Sequence, residues 1–443
     1  MIDTPKKKQR CLLLNRSFYP LFWVQFLGAF NDNLYKNAMV MLITFKLTNS
    51  AVDTGLLITL AAGLFILPFF IFSAFAGQIA DRYPKSVLIK KIKLAEILIM
   101  LIGGLALLSQ NLWLLFITLF LMGTQSAFFG PIKYSILPEI LDEKRLIKGN
   151  GLFSGSTFIA ILIGTILGGL GVLLDGGLWI MASLVILVSV IGYLFSLLIA
   201  ESKQFDKQLV INWNRFSSTY QVVKESHTHK TAFFSVLAIS WFWFIGAVML
   251  SQIPALVKYD LYANDKVVML FLTLFSVGIA IGSGLVGKLM PVHATIKWHW
   301  GMILGMSAML LLTVWSIFAI HSGVVHEQNV SHETLLTIAQ FITLWPANLS
   351  LVFLFILAVL GGMYIVPLYT ILQTHTPIAV RARIVAVNNI VNALLMVVSA
   401  ILIMLGFAFS LSLLEMFSIL AFLNVFVAIV LYRNRLKASE PWS

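Results

Sequence analysis

The sequence predicts an all-α polytopic membrane protein whose twelve transmembrane helices form two six-helix halves. Three observations predict it. The 443 residues are 60% hydrophobic and only 11% charged, whereas a soluble domain is about one-quarter charged. Apolar runs of roughly twenty residues, enough to cross a bilayer as helix, recur along the whole chain. Lys and Arg gather in alternate connections between those runs, as the positive-inside rule requires of a multi-pass protein.

The runs place helices at roughly 18–46, 54–80, 86–109, 111–136, 150–173, 177–200, 231–257, 266–290, 298–321, 349–375, 383–407 and 409–432. Organisation follows from them: a cytoplasmic N-terminal tail (1–17), an N-terminal half (18–200), a cytoplasmic central loop (201–230), a C-terminal half (231–432) and a cytoplasmic C-terminal tail (433–443). The net charge of +12 comes from the connections expected on the cytoplasmic side. Lys6, Lys7, Lys8, Arg10 and Arg16 lie in the tail, Arg82, Lys85, Lys90 and Lys91 at the second loop, and Lys144, Arg145 and Lys148 after the fourth helix. The stretch 321–348 has no Lys or Arg. The basic balance therefore reflects topology and implies no nucleic-acid partner. The central loop sets Trp213, Phe216 and Tyr220 among basic residues. It reads either as a short helix lying on the membrane against anionic headgroups or as a solvated linker.

Several function classes drop out. The single cysteine, Cys11, allows no intrachain disulfide framework and no cysteine metal site. No cleavable signal pattern follows the basic start. Walker, dinucleotide-binding and nucleophile-elbow motifs are absent, so no enzyme activity and no cofactor is expected. His321, His326 and His332, with Glu327 and Glu333, follow no metal-ligand spacing.

Weak internal echoes support two related halves. FLGA at Phe26 to Ala29 recurs as FIGA at Phe244 to Ala247, and PIKYSIL from Pro131 resembles PLYTIL from Pro367. They fall on the first and seventh and on the fourth and tenth helices. The segment GQIADRYPKS, Gly77 to Ser86, resembles the signature loop of the major facilitator superfamily. Its physical reading is a close helix approach at Gly77, then Asp81 and Arg82 at a helix end, placed to latch one conformation. Glu139 stands at the same mouth, either as a gate or in a salt bridge with Arg145 or Lys148. In the second half, GLVGK from Gly284 lacks the acid, so the latch is expected on one side only.

The first helix carries Asn31, Asp32, Asn33 and Lys36 within an apolar stretch. Each Asp or Lys at the centre of a membrane helix costs roughly 2.5–3.5 kcal/mol on insertion scales, so the cluster must face a protein interior or a cavity. Where the first helix reads FLGAFNDN, the seventh reads FIGAVMLS. The polar cluster is thus not part of the repeated scaffold, and Asp32 is the leading candidate for function. Lys36 shares its face and can pair with it. The fourth helix supplies Lys133, two residues after Pro131, as a matching basic group. Gln125, Gln252, Tyr369, Asn388 and Asn392 complete a candidate substrate-binding set of intramembrane polar residues. Glu96 reads as the structural partner of Lys93. Glycine pairs such as Gly168-Gly169 read as close helix contacts.

Three strings are more specific: GAFNDNLYKNA, FFGPIKYSILPE and ISWFWFIGAVMLSQIPAL. They resemble the bacterial lysophospholipid transporter family, above all its branch fused to an acyl-carrier-protein-dependent acyltransferase. The resemblance implies a flippase that moves lysophosphatidylethanolamine from the outer to the inner leaflet of the inner membrane for re-acylation. The sequence ends at Ser443 with no such domain, so a separate cytoplasmic acyltransferase is the partner expected. For such a cargo Lys133 suits the phosphate. Asp32, with Asn31 or Asn33, suits the ammonium or a coupling proton or sodium ion. Trp241, Trp243 and Phe244 suit either an acyl-chain slot or bundle packing. Two rivals stand beside this reading: a proton-coupled carrier of a drug, siderophore or metabolite, and a non-transporting membrane scaffold for an acyltransferase.

Overall fold

The computed structural model describes residues 12–47, 51–202, 205–289, 292–327 and 335–437. Among these, secondary structure is helical apart from one isolated bridge between Ala263 and Leu336. Twelve long helices carry the fold: α1 (Tyr19–Leu42), α2 (Ala51–Arg82), α3 (Lys85–Ser109), α4 (Leu112–Ser135), α5 (Glu143–Gly171) and α6 (Gly177–Leu197), then α7 (Lys230–Ala255), α8 (Asp265–Leu289), α9 (Val292–Glu327), α10 (Trp345–Thr374), α11 (Arg381–Ala408) and α12 (Leu413–Lys437). Eleven of these regions are long and apolar enough to cross a membrane. The exception is α1, whose Asn-Asp-Asn cluster and Lys36 lower its hydropathy. It is held instead by packing along α5 and α6.

Helix boundaries depart from the hydropathy reading where charge and amphipathicity coincide. α5 starts at Glu143 rather than near 150, because Leu146, Ile147 and Asn150 turn inward while Lys144 and Lys148 stay exposed. α9 overruns the predicted 298–321 at both ends. The side chains of 321–334, including His321, His326, His332, Glu327 and Glu333, lie outside the described residues, as do residues 1–11 and the side chains of 434–443.

The helix contacts repeat between the halves. α1 packs on α5 as α7 packs on α11, α2 on α4 as α8 on α10, and α3 on α6 as α9 on α12. Both α1 and α7 run into a single π-helical turn, Ile43–Leu47 and Leu256–Asp260, a feature rare enough to mark a shared design. The halves meet along two seams, α2 against α11 and α5 against α8, which exchange under the same repeat.

The apolar core shows where the halves are joined. One cluster includes Phe18, Ile132, Leu137 and Phe153 of the first half with Val366, Leu372 and Val385 of the second. Leu34, Tyr35, Met39, Leu107, Leu119 and Met181 form a separate cluster confined to the first half. With twelve crossings both ends of the chain emerge on one face, and the first-half members of the shared cluster, among them Phe18, Ile132, Leu137 and Phe153, lie toward that face. The halves are therefore packed together at the chain-end face and parted at the opposite one.

Candidate functional site

The parted side holds a cavity of about 810 Å³ between α1 and α5 of one half and α7 and α8 of the other. Its walls are unequal. α1 contributes a polar strip, Asn33, Lys36 and Asn37, about one turn long, whereas α5 and α8 contribute mostly apolar side chains such as Ile161, Ile166, Val268 and Leu272, with Thr165, Asp265 and Ser276 as polar exceptions. Lys258, in the π-helical turn after α7, adds a second ammonium group to the lining. The Asn37 amide donates to the Asn33 carbonyl and to Thr165 Oγ1, at 2.8 and 3.1 Å, fixing the strip against α5.

Asp32 lies one turn below Lys36, toward the closed face. Its Oδ2 accepts a 2.8 Å hydrogen bond from Ser126 of α4. Ser126 Oγ also lies 3.3 Å from Gln125 Oε1, and Gln125 Nε2 donates to Glu96 Oε2 at 2.9 Å. The same Glu96 oxygen pairs with Lys93 at 2.6 Å. A carboxylate, a hydroxyl, an amide and a buried ion pair thus form one chain across α1, α4 and α3. Lys93 is wholly buried, and its ammonium lies 5.4 Å from the Phe129 ring centroid. It fits because Gly28 of α1 has no side chain: a Cβ there would stand 2.9 Å from the Lys93 nitrogen.

Lys133 lies seven residues past Ser126 on α4, a rise of about 10 Å toward the closed face. Its ammonium is 5.0 Å from the centroid of Tyr134, and Tyr134 stacks on Tyr369 of α10 with centroids 4.2 Å apart. The Trp243 indole donates to the Tyr369 hydroxyl at 3.3 Å, and Asn388 and Asn392 of α11 adjoin that hydroxyl. Ser240 donates to Asn392 at 2.7 Å. Lys133 therefore belongs to a polar and aromatic patch shared by both halves. Lys36, Asp32 and Lys133 stand at three successive depths, basic, acidic and basic.

This two-half bundle, parted on one side and joined on the other, has known counterparts. The sequence profile of the Major Facilitator Superfamily matches residues 21–400. The chain belongs to the Major Facilitator Superfamily. It is 27% identical over 390 residues to the lysophospholipid transporter LplT of Yersinia pestis (strain Pestoides F), covering 85% of this chain and 84% of that protein. The protein of the same name from Yersinia pseudotuberculosis serotype O:3 (strain YPIII) matches to the same extent. Among solved structures, a bacterial homologue of the iron transporter ferroportin in an outward-facing state superposes with a TM-score of 0.65 at 15% identity, over 95% of this chain and 99% of that one. The superfamily transporter FucP in its outward conformation gives 0.66 at 13% identity, over 94% and 98%. At that identity the two structures share the fold. The resemblance read from the three sequence strings, and the twelve-helix fold it implied, agree with these findings.

Several predicted contacts differ. Asn31 faces away from the cavity and donates to the Val185 carbonyl of α6 at 3.1 Å. Consecutive residues on a helix point about 100° apart, so Asn31, Asp32 and Asn33 could not share one surface. Among the described residues no ion pair within 4 Å joins Lys36 to Asp32; Lys36 lines the cavity, with its ammonium 5.7 Å from the Phe65 centroid. Gln252 contacts its neighbour Ser251 at 3.1 Å and is not in the cavity wall. Trp241, Trp243 and Phe244 do not form one slot. Trp241 stacks on Phe244, centroids 4.9 Å apart, and donates to Asn424 of α12, while Trp243 alone turns to the centre, stacked on Phe158.

At the closed face, Asp81 of α2 accepts the Ala382 N–H at 2.9 Å, and the Arg383 N–H and Nε at 3.2 Å each. It caps the first turn of α11 across the boundary between the halves. Gly77 permits the approach, since a Cβ there would stand 2.8 Å from the Ala386 Cβ. Arg82, by contrast, lies over Tyr83 and is not the partner across the seam; Arg383 is. Glu139 pairs with Lys85 at 2.7 Å rather than with Arg145 or Lys148, because the turn after α4 brings it back to the start of α3. Asn150 and Gln373 bind each other across the halves at 2.7 and 3.1 Å.

Ser126, Lys93, Lys258 and Arg383 were not singled out as site residues by the sequence. Lys93 had a signal: a Lys and a Glu three residues apart on a helix that is apolar from there on, apart from the pair itself, imply a shared face. Ser126 had none, since serine is cheap in a membrane helix.

Proposed function

We propose that the chain carries lysophospholipid across a bacterial inner membrane by alternating access. The cavity's division into a polar strip with ammonium groups and an apolar wall carries this reading. A lysophospholipid has one anionic headgroup and one acyl chain, and the strip and the wall match those parts. The similarity to transporters named for lysophospholipid supports the same cargo. In this reading Lys36 and Lys258 meet the headgroup phosphate at the open side, Asp32 takes the ammonium of a phosphatidylethanolamine-type headgroup, and Lys133 receives the phosphate farther in. The apolar faces of α5 and α8 shelter the chain. Net movement is from the open face toward the chain-end face, and a cytoplasmic acyltransferase consumes the product.

The test is uptake of labelled lysophosphatidylethanolamine by spheroplasts that express the chain. Uptake above that of empty-vector cells is expected. Uptake equal to empty vector, with the protein present in the membrane, overturns the proposal. An imposed proton or sodium gradient, applied to proteoliposomes, distinguishes a coupling-ion role for Asp32: acceleration by either gradient in wild type, and its loss in Asp32→Asn, assigns that role.

A further inference from the structure

The connection between the halves contains a short helix, Arg215–Ser226, whose two faces differ sharply. Ser218, Val222 and Ser226 are buried. Ser218 is hydrogen-bonded to Gln78 of α2, and Gln78 Oε1 accepts the Asn212 N–H at 2.8 Å. At the far end Glu225 pairs with Arg383 of α11 at 2.9 Å. The helix therefore lies along the α2–α11 seam and touches both halves. Its other face carries Phe216 and Tyr220, with Trp213 just before it, at 85%, 69% and 75% exposure.

Three large aromatic side chains facing outward need a reason, and their depth supplies one. The Trp213 ring lies 5.4 Å from Phe75 of α2, and the Arg215 guanidinium lies 4.9 Å from the Phe72 centroid. Phe75 and Phe72 precede the end of α2 at Arg82 by two and nearly three turns, about 10 and 15 Å along the axis. The helix α2 that ends at Arg82 has 32 residues, about 48 Å, against a hydrocarbon core of about 30 Å. Roughly 9 Å at each end then stands outside that core, so Trp213, beside Phe75, lies close to the boundary between headgroups and acyl chains. Lys207, Arg215 and Lys224 surround the stripe and are exposed. Aromatic rings at that depth with basic groups beside them match an interfacial helix on an anionic leaflet.

We propose that this connection is a membrane-binding element: Trp213, Phe216 and Tyr220 insert into the headgroup–acyl boundary of the leaflet at the chain-end face, and the helix lies there as a strap over the α2–α11 seam. The occupant of the aromatic face is lipid, not a second protein. Because the strap's contacts to Gln78 and Arg383 lie on opposite sides of the seam, parting α2 from α11 requires one of them to break while the aromatic stripe stays in the lipid.

The test needs no cargo. With Cys11→Ser as background, nitroxide labels are placed singly by Phe216→Cys, Tyr220→Cys, Lys207→Cys and Gln221→Cys, and the full chain is reconstituted in vesicles containing anionic phospholipid. Collision with dissolved oxygen reports lipid, and collision with a water-soluble nickel chelate reports water. The expected result is an oxygen-to-nickel ratio several-fold higher at 216 and 220 than at 207 and 221. All four positions are exposed, so the labels leave the core intact. Nickel accessibility at 216 and 220 equal to that at 207 overturns the proposal, whether the face is bare to water or waits for a protein partner.

Discussion

The Asp81 carboxylate of α2 accepts the Ala382 backbone N–H at 2.9 Å and so caps a helix that belongs to the other half of the molecule. A carboxylate at a helix N-terminus satisfies donors that the helix itself cannot, and meets the positive end of its dipole. Since α2 and α11 must separate for the chain-end face to open, the cap stabilises one conformation over the other rather than the fold as a whole.

Asp81→Asn keeps the shape and removes the charge. Hydrogen bonds to charged groups contribute about 1.5–3 kcal/mol, so the closed population should fall about ten- to hundredfold relative to the open one. Spin labels at Tyr83→Cys and Ala379→Cys, with Cys11→Ser, measure this as a longer-distance population in the distance distribution. An unchanged distribution would mean that Asp81 does not bias the seam.

Two glycines separate conformational from folding effects. A Cβ at Gly151 would overlap the Ser283 carbonyl across the α5–α8 seam, whereas one at Gly168 would overlap the Leu34 carbonyl within the first half. Overpacking of this kind typically costs about 1–3 kcal/mol. Gly168→Ala is expected to lower the melting temperature in detergent. Gly151→Ala is expected to leave melting nearly unchanged and to raise alkylation of a cysteine introduced at Asn389, which the closed halves partly cover.

The buried Lys93–Glu96 pair should behave as a unit. Removing one partner leaves a charge buried without its counter-ion, which typically costs about 3–5 kcal/mol. Lys93→Met and Glu96→Met should each melt well below wild type, and the double variant should recover most of the loss. Additive losses in a double-mutant cycle would show that the two side chains do not interact.

Asp32→Asn preserves the Ser126 hydrogen bond and removes the negative charge. Lys133→Met keeps the bulk of the side chain and removes the ammonium. Each is expected to cut lysophosphatidylethanolamine uptake about ten- to hundredfold, the value of one charged hydrogen bond, with little change in melting. Asn31→Ala should act in the opposite way, lowering melting through the lost bond to Val185 while retaining cargo specificity. Uptake by Asp32→Asn equal to wild type would remove Asp32 from the cargo path.

The sequence by itself determined the number of long helices, their division into halves, and the cost of holding Asp32 and Lys133 in a membrane. These follow from composition and hydropathy, which act locally along the chain. Periodicity also placed Lys36 on the face of Asp32. It could not decide whether the two would pair, because that depends on what stands opposite. The tertiary structure put a cavity beside Lys36 and Ser126 beside Asp32, turned Asn31 toward α6, and divided the tryptophans between the centre and α12. It also gave Asp81 its partner, Arg383 rather than the neighbouring Arg82. These outcomes rest on contacts between residues up to 302 positions apart. Such contacts are fixed by how closely helices approach, at Gly77 and Gly151 above all, and a linear pattern of apolar residues leaves that distance open.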